Sequence, residues 1–112
     1  MVASLPAPGS WSVVATVRAT RALCETFAHH QLARGASRVF LFHDDPEMAP
    51  EITLSGVTNT ICDAGWWRRG RPDALEQRQI HNATRAKGWC GTDWILHCDI
   101  DELIWSPHPI AE

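Results

Sequence analysis

The chain contains no tyrosine and only three phenylalanines, against six tryptophans. That balance is unusual, and an indole ring is as often core as a platform for flat ligands. It also has no Cys-x-x-Cys pair: the cysteines at 24, 62, 90 and 98 stand apart in apolar surroundings. Four cysteines admit three pairings, but this spacing points to reduced, packed thiols instead of a metal knuckle or a redox motif. No stretch reaches the uninterrupted apolar length of a membrane span, and "MVASLPAPGSW" lacks the positive start and long apolar middle of a signal peptide. The expectation is a soluble, cytoplasmic protein without a transmembrane segment. There is no excess of positive charge either. Ten basic against thirteen acidic residues leave a formal charge of -3, and only "RRGR" at 68–71 gathers basic side chains. A broad nucleic-acid surface is excluded on that ground. Gly-x-Gly-x-x-Gly and the phosphate-loop pattern are missing too, which removes dinucleotide binding of the Rossmann sort and P-loop chemistry.

What is present suits one folded domain. The 112 residues are 45% apolar and 21% charged with no low-complexity tract, which is ordinary for a small globular protein. "WSVVATV" (11–17) is β-branched and apolar and predicts a first strand. Thr20 caps a helix through about Arg34, with Leu23, Cys24, Phe27, Ala28 and Leu32 on one face and Gly35 as its stop. "RVFLFH" (38–43) predicts a second strand, "DDPEMAPEITLSG" a loop with at most one helical turn, and "VTNTICD" (57–63) a third strand. Asp73 with Glu76 reads as a capping box opening a helix to about Lys87, closed by Gly88, and "DWILHC" supplies a fourth strand. This order of mostly apolar strands and helices predicts an α/β fold, a Rossmann-like parallel sheet of about four strands with helices on both faces. Ligands of such sheets bind beyond the carboxyl ends of the strands, which here read "RAT", "HDDP", "CDAGWW" and "DIDE".

The last of these carries the sharpest chemistry. In extended chain Asp99 and Asp101 point the same way while Ile100 turns inward, so two hard oxygen donors converge. That pair suits Mg²⁺ or Mn²⁺, which keep few protein carboxylates and complete their shell with water and phosphate. Glu102 faces the other side, as a hydrogen-bonding residue. The plainer reading is that these acids cap a helix or face water, since Asp-x-Asp is common. Placement at the ligand edge, directly after a buried strand, favours the metal. His97 shares the face of Asp99 but reads as a packed strand residue, His108 as part of the tail, and His29 and His30 as helix surface or packing. Trp66 and Trp67 either stack on a base or sugar or cover the sheet edge.

The segments "VVATVRA", "FAHHQLARGASRVFLFHDDP", "QRQIHNATRA" and "WILHCDIDELI" together resemble metal-dependent glycosyltransferases of the A-type fold, in particular a bacterial family-two-like set, over nearly the whole chain. The resemblance implies transfer of a sugar, with inversion, from a nucleoside-diphosphate sugar to the hydroxyl of an unknown acceptor, whether glycan, lipid or protein. It implies that Asp99 and Asp101 hold the Mn²⁺ or Mg²⁺ and through it the diphosphate. Thr16 and Arg18, with Asp44 or Asp45, would meet the base and ribose, and Gln77, Arg78 and Asn82 would line the donor side. For Arg78 the plainer reading is a solvated helix face. Members of this fold continue well beyond the Asp-x-Asp, so residues 1–112 read as a single nucleotide-sugar-binding domain truncated after that strand, with the catalytic base unidentified. Two alternatives stand. Haloacid dehalogenase-type phosphatases also place an Asp-x-Asp after an apolar strand, but near the start of the domain and without Glu102 and Leu103 behind it. A non-catalytic nucleotide-binding fragment is the other.

Overall fold

The computed structural model describes residues 9–100. Four strands and two helices follow one another as β1 (Trp11–Val17), α1 (Arg21–Ala33), β2 (Arg38–His43), β3 (Val57–Ile61), α2 (Leu75–Trp89) and β4 (Trp94–His97). All strand pairs are parallel and the order across the sheet is β3-β2-β1-β4. The α/β class, with a parallel sheet, is thus the one expected.

Strand alternation sends successive side chains to opposite faces, and each face meets its own helix. Val13, Ala15 and Val17 of β1 with Val39 and Leu41 of β2 pack against Cys24, Phe27 and Ala28 of α1. Val14, Phe40 and Phe42 pack on the other side against Ala86 of α2, Cys90 and Trp67. The two central strands, β1 and β2, are buried on both faces, as their unbroken apolar runs predict. The outer strands β3 and β4 are only partly covered.

Local signals explain most boundaries. Thr20 accepts a hydrogen bond from the Leu23 N–H at 3.3 Å and caps α1. Gly35, at φ 109°, turns the chain out of the helix while its N–H bonds the Leu32 carbonyl. The buried stripe of α1 is Cys24, Phe27, Ala28 and Gln31, the i, i+3, i+4, i+7 series. Leu23 falls one residue off that stripe and is exposed. The loop after β2 makes no helical turn of its own. It is fastened by Asn59 of β3, whose side chain bonds both the N–H and the carbonyl of Ile52 and reaches His43 Nε2 at 2.9 Å.

Three expectations need correction. The capping box at Asp73 does not form: Ala74 is the N-cap of α2 and no side chain bonds the first turn. Arg78 Nη1 instead reaches back to the carbonyls of Pro72 and Asp73, at 2.8 Å each, at the approach to the helix. Gly88 does not end α2, which runs on to Trp89 before Gly91 at φ 64°. His97 is exposed instead of packed, since β4 is an edge strand.

Candidate active site

The parallel register brings the carboxyl ends of β1, β2 and β3 to one edge, where they border a cleft of about 810 Å³. Arg18 follows β1, Asp44 and Asp45 follow β2, and Cys62 and Asp63 follow β3. Trp67 and Arg71 come from the loop before α2, and Arg78 from its first turns. The volume lies within the range of small-molecule sites.

Asp44 is the fixed point of this cleft. Arg78 grips it with two N–H donors, Nε to Oδ1 at 3.0 Å and Nη2 to Oδ2 at 3.2 Å, and Arg71 Nη2 reaches Oδ2 at 3.1 Å. The Asp44 and Arg78 side chains are only 11% and 10% exposed, so they form a desolvated, two-pronged pair. Arg71 is half-exposed at 48%, and Arg18, 72% exposed, pairs loosely with Asp45 at 3.4 Å. Such solvated pairs are weak, which leaves two guanidinium groups available to an incoming anion. Asp45 also accepts the Glu47 N–H at 3.0 Å, and Asp63 the Trp66 N–H at 3.0 Å, so both acids shape their own turns. Burial, and then the negative charge of Asp44, push the Cys62 thiol up to about 12, which disfavours the nucleophilic thiolate.

The other expected residues lie elsewhere. Asn82 is fully buried and Thr16 partly so. The Asn82 amide donates to Thr16 Oγ1 at 3.0 Å and accepts from Trp66 Nε1 at 3.0 Å, which ties α2 to β1 and to the tryptophan loop. These two residues therefore hold up the walls and do not line the cleft. Gln77 is exposed on the first turn of α2, also outside the lining. Asp99, exposed after β4, takes a long 3.4 Å hydrogen bond from Gln79 Nε2 and does not line the cleft. Asp101 lies outside the described residues, as do Glu102 and His108. Among the described residues no three His, Cys, Asp or Glu side chains come together in a way that could hold a metal ion. Asp99 alone supplies a single hard donor. Trp67 lines the cleft, as one of its two readings has it, and Cys62 and Asp63 do so from the strand end "CDAGWW"; the residues missed in the sequence are Arg71 in the cleft and Gln79 beside Asp99. The basic run at 68–71 was the available signal for Arg71.

The tryptophan loop packs on α2 through His81, whose ring lies 5.5 Å from Trp66 and 5.0 Å from Trp67. Burial, and then the Arg85 charge, hold its pKa below the usual histidine value. Such a group binds fewer protons folded than unfolded just below about pH 6.5, so stability is present above that pH and falls as pH drops toward the folded pKa. Urea denaturation at pH 7.5 and 5.5 should show a loss on acidification that is smaller in His81→Gln than in the parent. Equal losses would remove His81 as the cause.

No helix among the described residues is long and apolar enough to cross a membrane. No family model matches the sequence, and no curated protein or solved structure matches it.

Proposed function

We propose that the chain is the donor-binding half of a cytoplasmic, metal-dependent glycosyltransferase, transferring a sugar from a nucleoside diphosphate to an acceptor hydroxyl. The observation that carries this reading is the convergence of Arg18, Asp44, Asp45 and Arg78, from β1, β2 and α2, on one cleft at the carboxyl edge of the sheet. The order β3-β2-β1-β4 also matches the first half of a doubly wound, Rossmann-like sheet, whose crevice opens between the strands here called β1 and β4. Asp99 follows β4, the strand that pairs with β1. Four buried, free cysteines agree with a reducing compartment.

In this reading Asp44 and Asp45 accept hydrogen bonds from ribose hydroxyls or the base, and the two-pronged contact with Arg78 keeps Asp44 correctly aimed. Arg18 and Arg71 exchange their weak carboxylate pairs for phosphate oxygens. A divalent ion held by Asp99 and Asp101 supplies Lewis-acid stabilisation of the charge on the departing diphosphate. Calorimetric titration of uridine and guanosine diphosphates with and without Mn²⁺ tests this. Mn²⁺ should tighten binding at least tenfold, and Asp99→Ala or Asp101→Ala should each abolish that gain while leaving metal-free binding unchanged. A gain that survives both substitutions, or no gain in the parent, overturns the metal assignment.

A further inference from the structure

The loop at 65–72 borders a second hollow, of about 640 Å³, that contains none of Arg18, Asp44, Asp45 or Arg78. Its walls are the indoles of Trp66 and Trp67 and the ring of His81, and Arg68, Arg69 and Arg85 surround them. No carboxylate among the described residues lines it or pairs with those three arginines. Arg85 instead lies over the Trp66 ring, 5.7 Å from its centre. Two buried polar atoms in the same walls, Trp67 Nε1 and His81 Nε2, have no hydrogen-bond partner among the described residues. Trp67 itself is only 7% exposed. A buried indole N–H normally finds an acceptor, and none of the described residues provides one here.

These features specify a ligand. Guanidinium forks match the oxygens of phosphate, and three of them outweigh the single charge of a carboxylate but suit a phosphate monoester, which carries about -1.5 to -2. Tryptophan faces bury a flat or apolar body beside the anion. The hollow has the size of a small-molecule site, and a chain of net charge -3 opposes a nucleic-acid polymer. We infer that this hollow binds a small organic phosphate, a monoester whose phosphate meets Arg68, Arg69 and Arg85 while its ring packs on Trp66 and Trp67.

Phenyl phosphate is a suitable probe, titrated calorimetrically into the full chain. It should bind saturably, at least tenfold more tightly than inorganic phosphate or benzoate. Arg85→Ala should weaken it at least tenfold, and so should the double variant Arg68→Ala/Arg69→Ala, which changes only exposed side chains and keeps the test open if Arg85→Ala disturbs Trp66. Arg21→Ala, on α1 and in neither hollow, should leave phenyl phosphate binding unchanged, and Arg18→Ala reports any binding in the neighbouring cleft. Three results would overturn the inference: a loss in Arg18→Ala with none in the Arg68/Arg69 variant, inorganic phosphate binding as tightly as the ester, or a short oligonucleotide binding more tightly than either.

Discussion

Asp44→Ala should lower the stability of the fold by about 3–5 kcal/mol, because it strands the Arg78 guanidinium in a desolvated site. Arg78 keeps its two backbone acceptors, the Pro72 and Asp73 carbonyls, but these do not neutralise its charge. Arg71→Ala is the matched control. It also removes a partner of Asp44, yet the half-exposed Arg71 pair should contribute no more than about 1 kcal/mol. Urea denaturation of the two variants separates buried from solvated pairing. The double variant Asp44→Ala/Arg78→Met should recover part of the loss, since it removes the unpaired charge as well. If Asp44→Ala and Arg71→Ala cost the same, the two-pronged contact is not what holds this edge together.

Asn82→Ala should cost about 2–4 kcal/mol. It leaves two groups of separate elements, the Thr16 hydroxyl and the Trp66 indole N–H, without their present partner, and each unsatisfied buried group costs about 1–3 kcal/mol. The loss should show in a second observable. With Trp66 released, the tryptophan emission of the native state should shift to the red, because Trp66 packs against Phe42, Trp67 and Trp89 in one aromatic cluster. Asn82→Ala with parental emission and stability within about 0.5 kcal/mol would mean that the amide bridges nothing of consequence.

The parts of the fold that could be read from the sequence are those with local causes. Thr20, the stripe from Cys24 onward and Gly35 contain the start, the buried face and the end of α1. The unbroken apolar runs of β1 and β2 state that both their faces are covered. Where reading failed, local composition did not state the deciding geometry. Asp73 has the composition of a helix cap, but α2 opens one residue later, behind Ala74. His97 looks packed in a run of apolar neighbours, but its exposure depends on β4 being last in the sheet order, which no local pattern encodes. The candidate site divides in the same way. The acids after β2 were legible as strand-end residues. The grip of Arg78 on Asp44, across 34 positions of chain, was not. Nor was the burial of Asn82, whose partners come from β1 and from the loop before α2.

The central place of β1 has a consequence for how the protein is made. Of the four described strands β1 is synthesised first, and its two neighbours, β2 and β4, arrive at very different times. At about 5–20 residues per second, roughly 3–11 s pass between completion of β2 and of β4. During that interval a nascent chain carries an apolar strand with one flank of backbone N–H and C=O groups bare, the kind of edge that recruits other strands. Yield in the cell should therefore depend on translation speed through residues 44–97, and on chaperones that shield that flank, more than on the equilibrium stability of the finished sheet.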